Sequence, residues 1–143
     1  MDDDAAHERD ETLRRADEVW ERLRARLDER IDCPIGDDGW TGKDVYAHFA
    51  RWQQKSVDGL RTILAGKWVP EPATEDENTL NDRWAAEDRA LAAGEARARC
   101  LSTREELRGL VAGLDGRQWQ RFGRLFEDIT GPHYEHHLRA AGG

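Results

Sequence analysis

Apolar residues recur at steps of three and four along most of the chain, the period of an amphipathic helix rather than a strand. Between residues 5 and 29, Leu13, Ala16, Trp20, Leu23 and Leu27 form one stripe with Val19 beside it, and Glu, Arg and Asp cover most of the rest. A second stripe, Val45, Phe49, Trp52, Ser56, Leu60 and Ile63, predicts a helix from Gly42 to Leu64. Thr41 is placed to cap it by accepting from the Asp44 amide, and Gly66 is placed to end it. A third helical region runs from Asn78 or Thr79 toward Leu114, with Leu80, Trp84, Leu91, Ala98, Leu101, Leu107, Leu110, Val111 and Leu114 as its apolar positions. It has two weak points, Gly94 and the capping-box pattern Ser102-Thr103-Arg104-Glu105, and the break is expected near Gly94. Trp119, Phe122, Leu125, Phe126 and Ile129 start a fourth stripe.

Punctuation separates these segments. The stretch 31–39 carries one proline, two glycines and three aspartates and reads as a loop. Residues 67–79, with Pro70, Pro72 and Trp68, read as a long loop without regular structure, either a surface linker or the wall of a binding site. Four amphipathic helices without a strand signal or a repeat predict an all-α, antiparallel four-helix bundle occupying residues 1–143 as a single domain.

Composition narrows the function. A net charge of -8 argues against nucleic acid or an anionic membrane surface as partner, because the arginines are interleaved with acids instead of gathered. The acidic start Met1-Asp2-Asp3-Asp4 has the wrong sign for a signal peptide, and no apolar run reaches the ~20 residues a membrane span needs. The chain thus reads as cytoplasmic. Cys33 and Cys100 form no metal-binding pair, and either free thiols or a single disulfide fit them.

The densest chemistry is Gly131-Pro132-His133-Tyr134-Glu135-His136-His137-Leu138, which holds three of the five histidines. On a helix, His133 and His137 lie one turn apart, about 40° around the axis, so two imidazoles can converge on one divalent cation. A third ligand must come from His7 or His48. His7 sits in the first turns of the first helix, where a surface position is expected. His48 lies on or beside the buried face of the second helix, across a bundle core from the pair. Pro132 either interrupts a longer helix or opens a short terminal one with Gly131 as N-cap.

The run Gly39-Trp40-Thr41-Gly42-Lys43-Asp44-Val45-Tyr46-Ala47-His48-Phe49-Ala50-Arg51-Trp52 resembles the helix-two signature of the DinB/YfiT-like superfamily. There, a tryptophan and a small polar residue precede Lys-Asp, then a histidine, then a tryptophan one turn on. The ending His133-Tyr134-Glu135-His136-His137-Leu138 is similar to that superfamily's terminal histidine motif, and Leu80-Asn81-Asp82 looks most like its ClbS/DfsB branch. The resemblance covers about residues 10 to 140. It implies a DinB-like bundle and a divalent metal, nickel or zinc, on His48, His133 and His137, with His136 facing away. It also implies relatives that use a low-molecular-weight thiol such as mycothiol or bacillithiol, and a hydrolase that protects its host from a genotoxin.

From the residues themselves, Asp44 is one turn before His48 and is a candidate to orient that imidazole from outside the ligand set. Trp40, Tyr46, Trp68 and Trp84 are candidates to line an apolar cleft for a flat small-molecule ligand. Two functions follow as expectations. The first is an enzyme that turns metal-activated thiol or water on a small electrophile, in detoxification or self-resistance. The second is a bundle that sequesters a small molecule without turnover. A homodimer through an exposed apolar stripe is expected in either case.

Overall fold

The computed structural model describes residues 2–67, 76–123 and 131–142. Trp68, Pro70 and Pro72 of the long loop, and Leu125, Phe126 and Ile129 of the fourth stripe, lie outside the described residues. Six helices occur among the described residues: α1 (Asp2–Glu29), α2 (Gly42–Leu64), α3 (Glu77–Asp88), α4 (Ala93–Ala112), α5 (Gly116–Phe122) and α6 (Pro132–Ala140). No strand occurs among them; the one β-like pairing is an antiparallel bridge between Pro34 and Thr41. The protein is all-α, as the apolar periodicity predicts.

The α1 stripe is buried as expected: Leu13, Ala16, Trp20, Leu23 and Leu27 are each at most 3% exposed. Fully burying a leucine stabilises by roughly 1.5–3 kcal/mol, so this row alone fixes which face of α1 meets the bundle. α2 packs most extensively on α4, whose inward positions are Ala96, Cys100, Leu107 and Val111. The small Ala96 and Cys100 let the two helices approach closely at that end.

Local chemistry sets the ends. Thr41 Oγ1 accepts from the Asp44 amide at 3.2 Å, the cap anticipated at the start of α2, and Asp44 returns the bond by accepting from the Thr41 amide at 3.0 Å. Gly42 is pressed against the end of α1: a Cβ there would lie 2.2 Å from the Leu27 carbonyl oxygen, and its amide donates to the Arg30 carbonyl. Asp76 caps α3 and Asp115 caps α5 in the same side-chain-to-amide manner.

One expectation holds and two change. As expected, the third region breaks near Gly94: it is two helices separated at residues 89–92, and Ser102 and Thr103 lie inside α4. The Thr103 hydroxyl donates back to the Arg99 carbonyl at 2.8 Å, so it does not cap a new helix. Among the described residues the C-terminal part carries two helices, α5 and α6, so six helices are described where four were expected. Finally, the buried face of α2 turns by one residue in its second half. Gln53 and Val57 are 0% exposed, whereas Trp52 and Ser56 are half-buried. Trp52 is drawn toward α3, where its indole N–H donates to Asn81 Oδ1 at 2.7 Å and its ring meets Trp84 edge-on.

No helix among the described residues is long and apolar enough to cross a membrane. Both cysteines are free thiols, Cys33 exposed and Cys100 buried. Burial pushes the Cys100 thiol up to about 12, so it is an inert core residue at neutral pH.

Candidate metal centre

Gly131 opens α6 with φ +119°, a conformation that favours glycine, and Pro132 takes the first helical position, where its missing N–H costs nothing. The proline therefore starts the helix that carries the histidine pair and does not distort it. Tyr134, Leu138 and Ala141 fill the buried face of this segment, which leaves His133 and His137 half-buried along its border and His136 and Glu135 exposed.

His48 meets the pair from α2. Its Nε2 lies 3.0 Å from His133 Nε2, and one ring nitrogen from each of His48, His133 and His137 falls within 4.8 Å of the other two. Phe49 forms the floor, with its ring centroid 4.6 Å from that of His133 and 5.0 Å from that of His137. Trp40 stands edge-on to His48 at 5.2 Å. His7 is exposed on α1 and takes no part.

The donor set suits a divalent cation. Imidazole nitrogens at about 2.0–2.1 Å from one tetrahedral ion stand roughly 3.3 Å apart, a spacing this cluster brackets. The charge state also fits, because a metal ligand must be neutral imidazole. His48 is held well below its ordinary value, first by burial and then by the neighbouring His137, His133 and His136. His137 is pushed down to about 3, again first by burial and then by His133 and His136. Three histidines give a cation three ligands and leave coordination positions open. They are the residues that could hold the metal.

A cleft of about 200 Å³ reaches His48 from the side of α3, between Trp40 and Trp84 and bordered by Asp44 and Asn81. A second hollow of about 250 Å³ reaches His137 from the side of Ile35, Gly36 and Asp37. Trp40 lines both. The histidine cluster is thus approached from two sides, with one indole between them.

The structure treats the remaining sequence candidates differently. Trp40 and Trp84 come together on the cleft. Tyr46 does not: it is 0% exposed in the core, packed on Trp20, and its hydroxyl donates to Asp28. Tyr46 falls on the same turn as Val45 and Phe49, and the packing of α1 on α2 takes it inward. Burial first, and then that bond to Asp28, push the phenol far above its ordinary range. Asp44, the candidate to orient His48, borders the cleft, and its Oδ2 is committed to the Thr41 amide and hydroxyl, so it acts as a helix cap. Trp68 lies outside the described residues.

Three further residues shape the site without having been singled out from the chain. Gln53 bonds Tyr134 across the core, Asn81 borders the cleft, and Arg51 grips Asp88 through two hydrogen bonds of 3.1 and 2.8 Å at the cleft's edge. Gln53 stands four residues after Phe49 and four before Val57, a spacing that marks the face but not the polar partner.

Comparison with known proteins adds one result. The family model described as mycothiol maleylpyruvate isomerase N-terminal domain matches residues 5–125, from α1 through α5. That span includes His48 and stops short of His133 and His137. No curated protein and no solved structure matches the chain significantly. The match covers well over half of the chain and agrees with the all-helical bundle, so the protein belongs to the mycothiol maleylpyruvate isomerase N-terminal domain family, within the DinB-like superfamily.

Proposed function

We propose that this protein is a metal-dependent thiol transferase, isomerase or hydrolase that acts on a small reactive electrophile, in detoxification or self-resistance. The observation that carries the reading is the convergence of ring nitrogens of His48, His133 and His137 within 4.8 Å, with His48 lining a cleft between Trp40 and Trp84. Nickel and zinc, the metals that the superfamily resemblance implies, are among those an all-imidazole set suits. When bound, such a cation supplies a Lewis-acidic centre that favours the deprotonated form of a thiol or a water at neutral pH. The family's name points to mycothiol as the thiol.

The chain's own contribution is binding and exclusion. His48, His133 and His137 serve as neutral ligands, so the cation keeps its positive charge. Trp40 and Trp84 hold a flat ligand between them, and Phe49 closes the core side of the site to water. Within the superfamily we place the chain with the ClbS/DfsB branch on its Leu80-Asn81-Asp82 segment, and we expect it to work in the cytoplasm, as a homodimer, without nucleic-acid or membrane partners.

A second reading has one observation in its favour. The 3.0 Å contact between His48 and His133 lets the two imidazoles satisfy each other without a cation. On that reading the bundle sequesters its ligand unchanged.

Elemental analysis of protein purified without chelators, wild type beside His133→Ala, separates the two. Stoichiometric metal in the wild type and its loss in the variant are expected. A wild type without metal sinks the enzymatic reading and leaves the sequestering one.

A further inference from the structure

The polarity of the cleft is set by one side chain. Trp52 can only donate through its indole N–H, so the atom of Asn81 that it meets at 2.7 Å must be the carbonyl oxygen Oδ1. This fixes the amide and leaves its NH2 group as the donor end. Asn81 borders the same cleft as Trp40, Trp84 and His48. Of the charged groups there, Asp88 is engaged by Arg51 and Asp44 by Thr41, and Arg89 also lines the cleft.

We propose that Asn81 is a specificity-determining residue, and that the cleft takes flat carbonyl compounds whose oxygen accepts from Asn81 Nδ2. The inference rests on the reading of this cleft as the ligand site. The indoles of Trp40 and Trp84 supply stacking surface, which is indifferent to polar substituents. The Asn81 amide supplies the discrimination, because a donor left without an acceptor in a confined site loses its bond to water with nothing in return. Trp52 acts here as a positioning residue: it touches Trp84 and holds the amide in one orientation.

The test uses two flat bicyclic probes of similar size, coumarin with a carbonyl and naphthalene without one. Equilibrium dialysis against chelator-treated full-length protein reads binding independently of turnover. Wild type is expected to prefer coumarin. Asn81→Leu and Asn81→Asp should each weaken coumarin by about tenfold while leaving naphthalene within about twofold. Asn81→Asp keeps an acceptor for Trp52, so a fall in that variant separates the lost donor from a disturbed wall. Equal loss of both probes in both variants, no loss in either, or no preference in the wild type overturns the proposal. Metal content read on the same wild-type protein before chelator treatment keeps this outcome distinct from a failure of the metal reading, since the coumarin preference is measured without metal and stands or falls by itself.

Discussion

Tyr134 donates its hydroxyl to Gln53 Oε1 at 2.9 Å, and both side chains are 0% exposed. The other end of the Gln53 amide donates to the Cys100 carbonyl at 3.0 Å and to Thr103 Oγ1 at 2.8 Å. One side chain on α2 thereby ties α4 to α6, and Tyr134 sits between the turns that present His133 and His137. A buried polar bond of this kind selects one rotation of a helix, because every other rotation leaves donors and acceptors unpaired.

Tyr134→Phe keeps the ring and orphans Gln53 Oε1, so it should cost about 1–3 kcal/mol in urea unfolding. Metal affinity should fall with it, since α6 loses its rotational key. Unchanged affinity in a destabilised Tyr134→Phe would show that packing alone positions the pair.

Removing any one of His48, His133 or His137 should weaken metal binding by more than the roughly 10–100-fold typical of losing an outer partner. His136 is exposed and its ring lies edge-on to His137 at 5.3 Å, outside the cluster. Chelator competition on the four alanine variants should find His136→Ala close to wild type.

Acid should destabilise the metal-free protein before its carboxylates titrate. His137 stays neutral in the fold down to about 3 and His48 is lowered in the same direction, while an unfolded histidine protonates near 6.5. Between those values the unfolded chain binds more protons, so stability falls as pH falls, by at most about 1.4 kcal/mol per pH unit for each histidine. Asp17 and Asp28, whose folded values are lowered, add a loss in the same direction only below about pH 4. Urea melts of chelator-treated protein at pH 7.5, 6.0 and 5.0 should show the slope, and His137→Gln should flatten it.

Gly42→Ala should be costly, by about 1–3 kcal/mol or more, because the added methyl meets the Leu27 and Arg30 carbonyl oxygens at 2.2 and 2.9 Å. Neither can move without displacing the end of α1. Gly59, on the same helix, has nothing within 4 Å of an added Cβ, and Gly59→Ala should stabilise by roughly 0.5–1 kcal/mol. Thermal melts that ranked the two variants the other way would refute the close approach.

Much of this molecule was legible in its residues because the decisive physics is local. The α1 stripe, the Thr41–Asp44 cap and the shared face of His133 and His137 all follow from helical period and from donors within one turn. Gly131-Pro132 offered two readings, and both kept His133 on a helix. Trp40 and Trp84 were named as candidates to line an apolar cleft, and they do meet on one.

What sequence alone could not rank were choices between neighbours on one helix. Trp52 and Gln53 differ by one position, and hydropathy favours the tryptophan for the core. The fold puts Gln53 there because Tyr134 and α4 meet its polar atoms, while α3 offers Trp52 an acceptor in Asn81. Tyr46 went inward for a similar reason, with Trp20 and Asp28 of α1 waiting for it. The chain by itself determined which segments are helices and that His133 and His137 leave α6 side by side, since both are matters of period. Only the tertiary structure decided that His48 faces them at 3.0 Å, because that distance depends on how α2 and α6 pack on a common core.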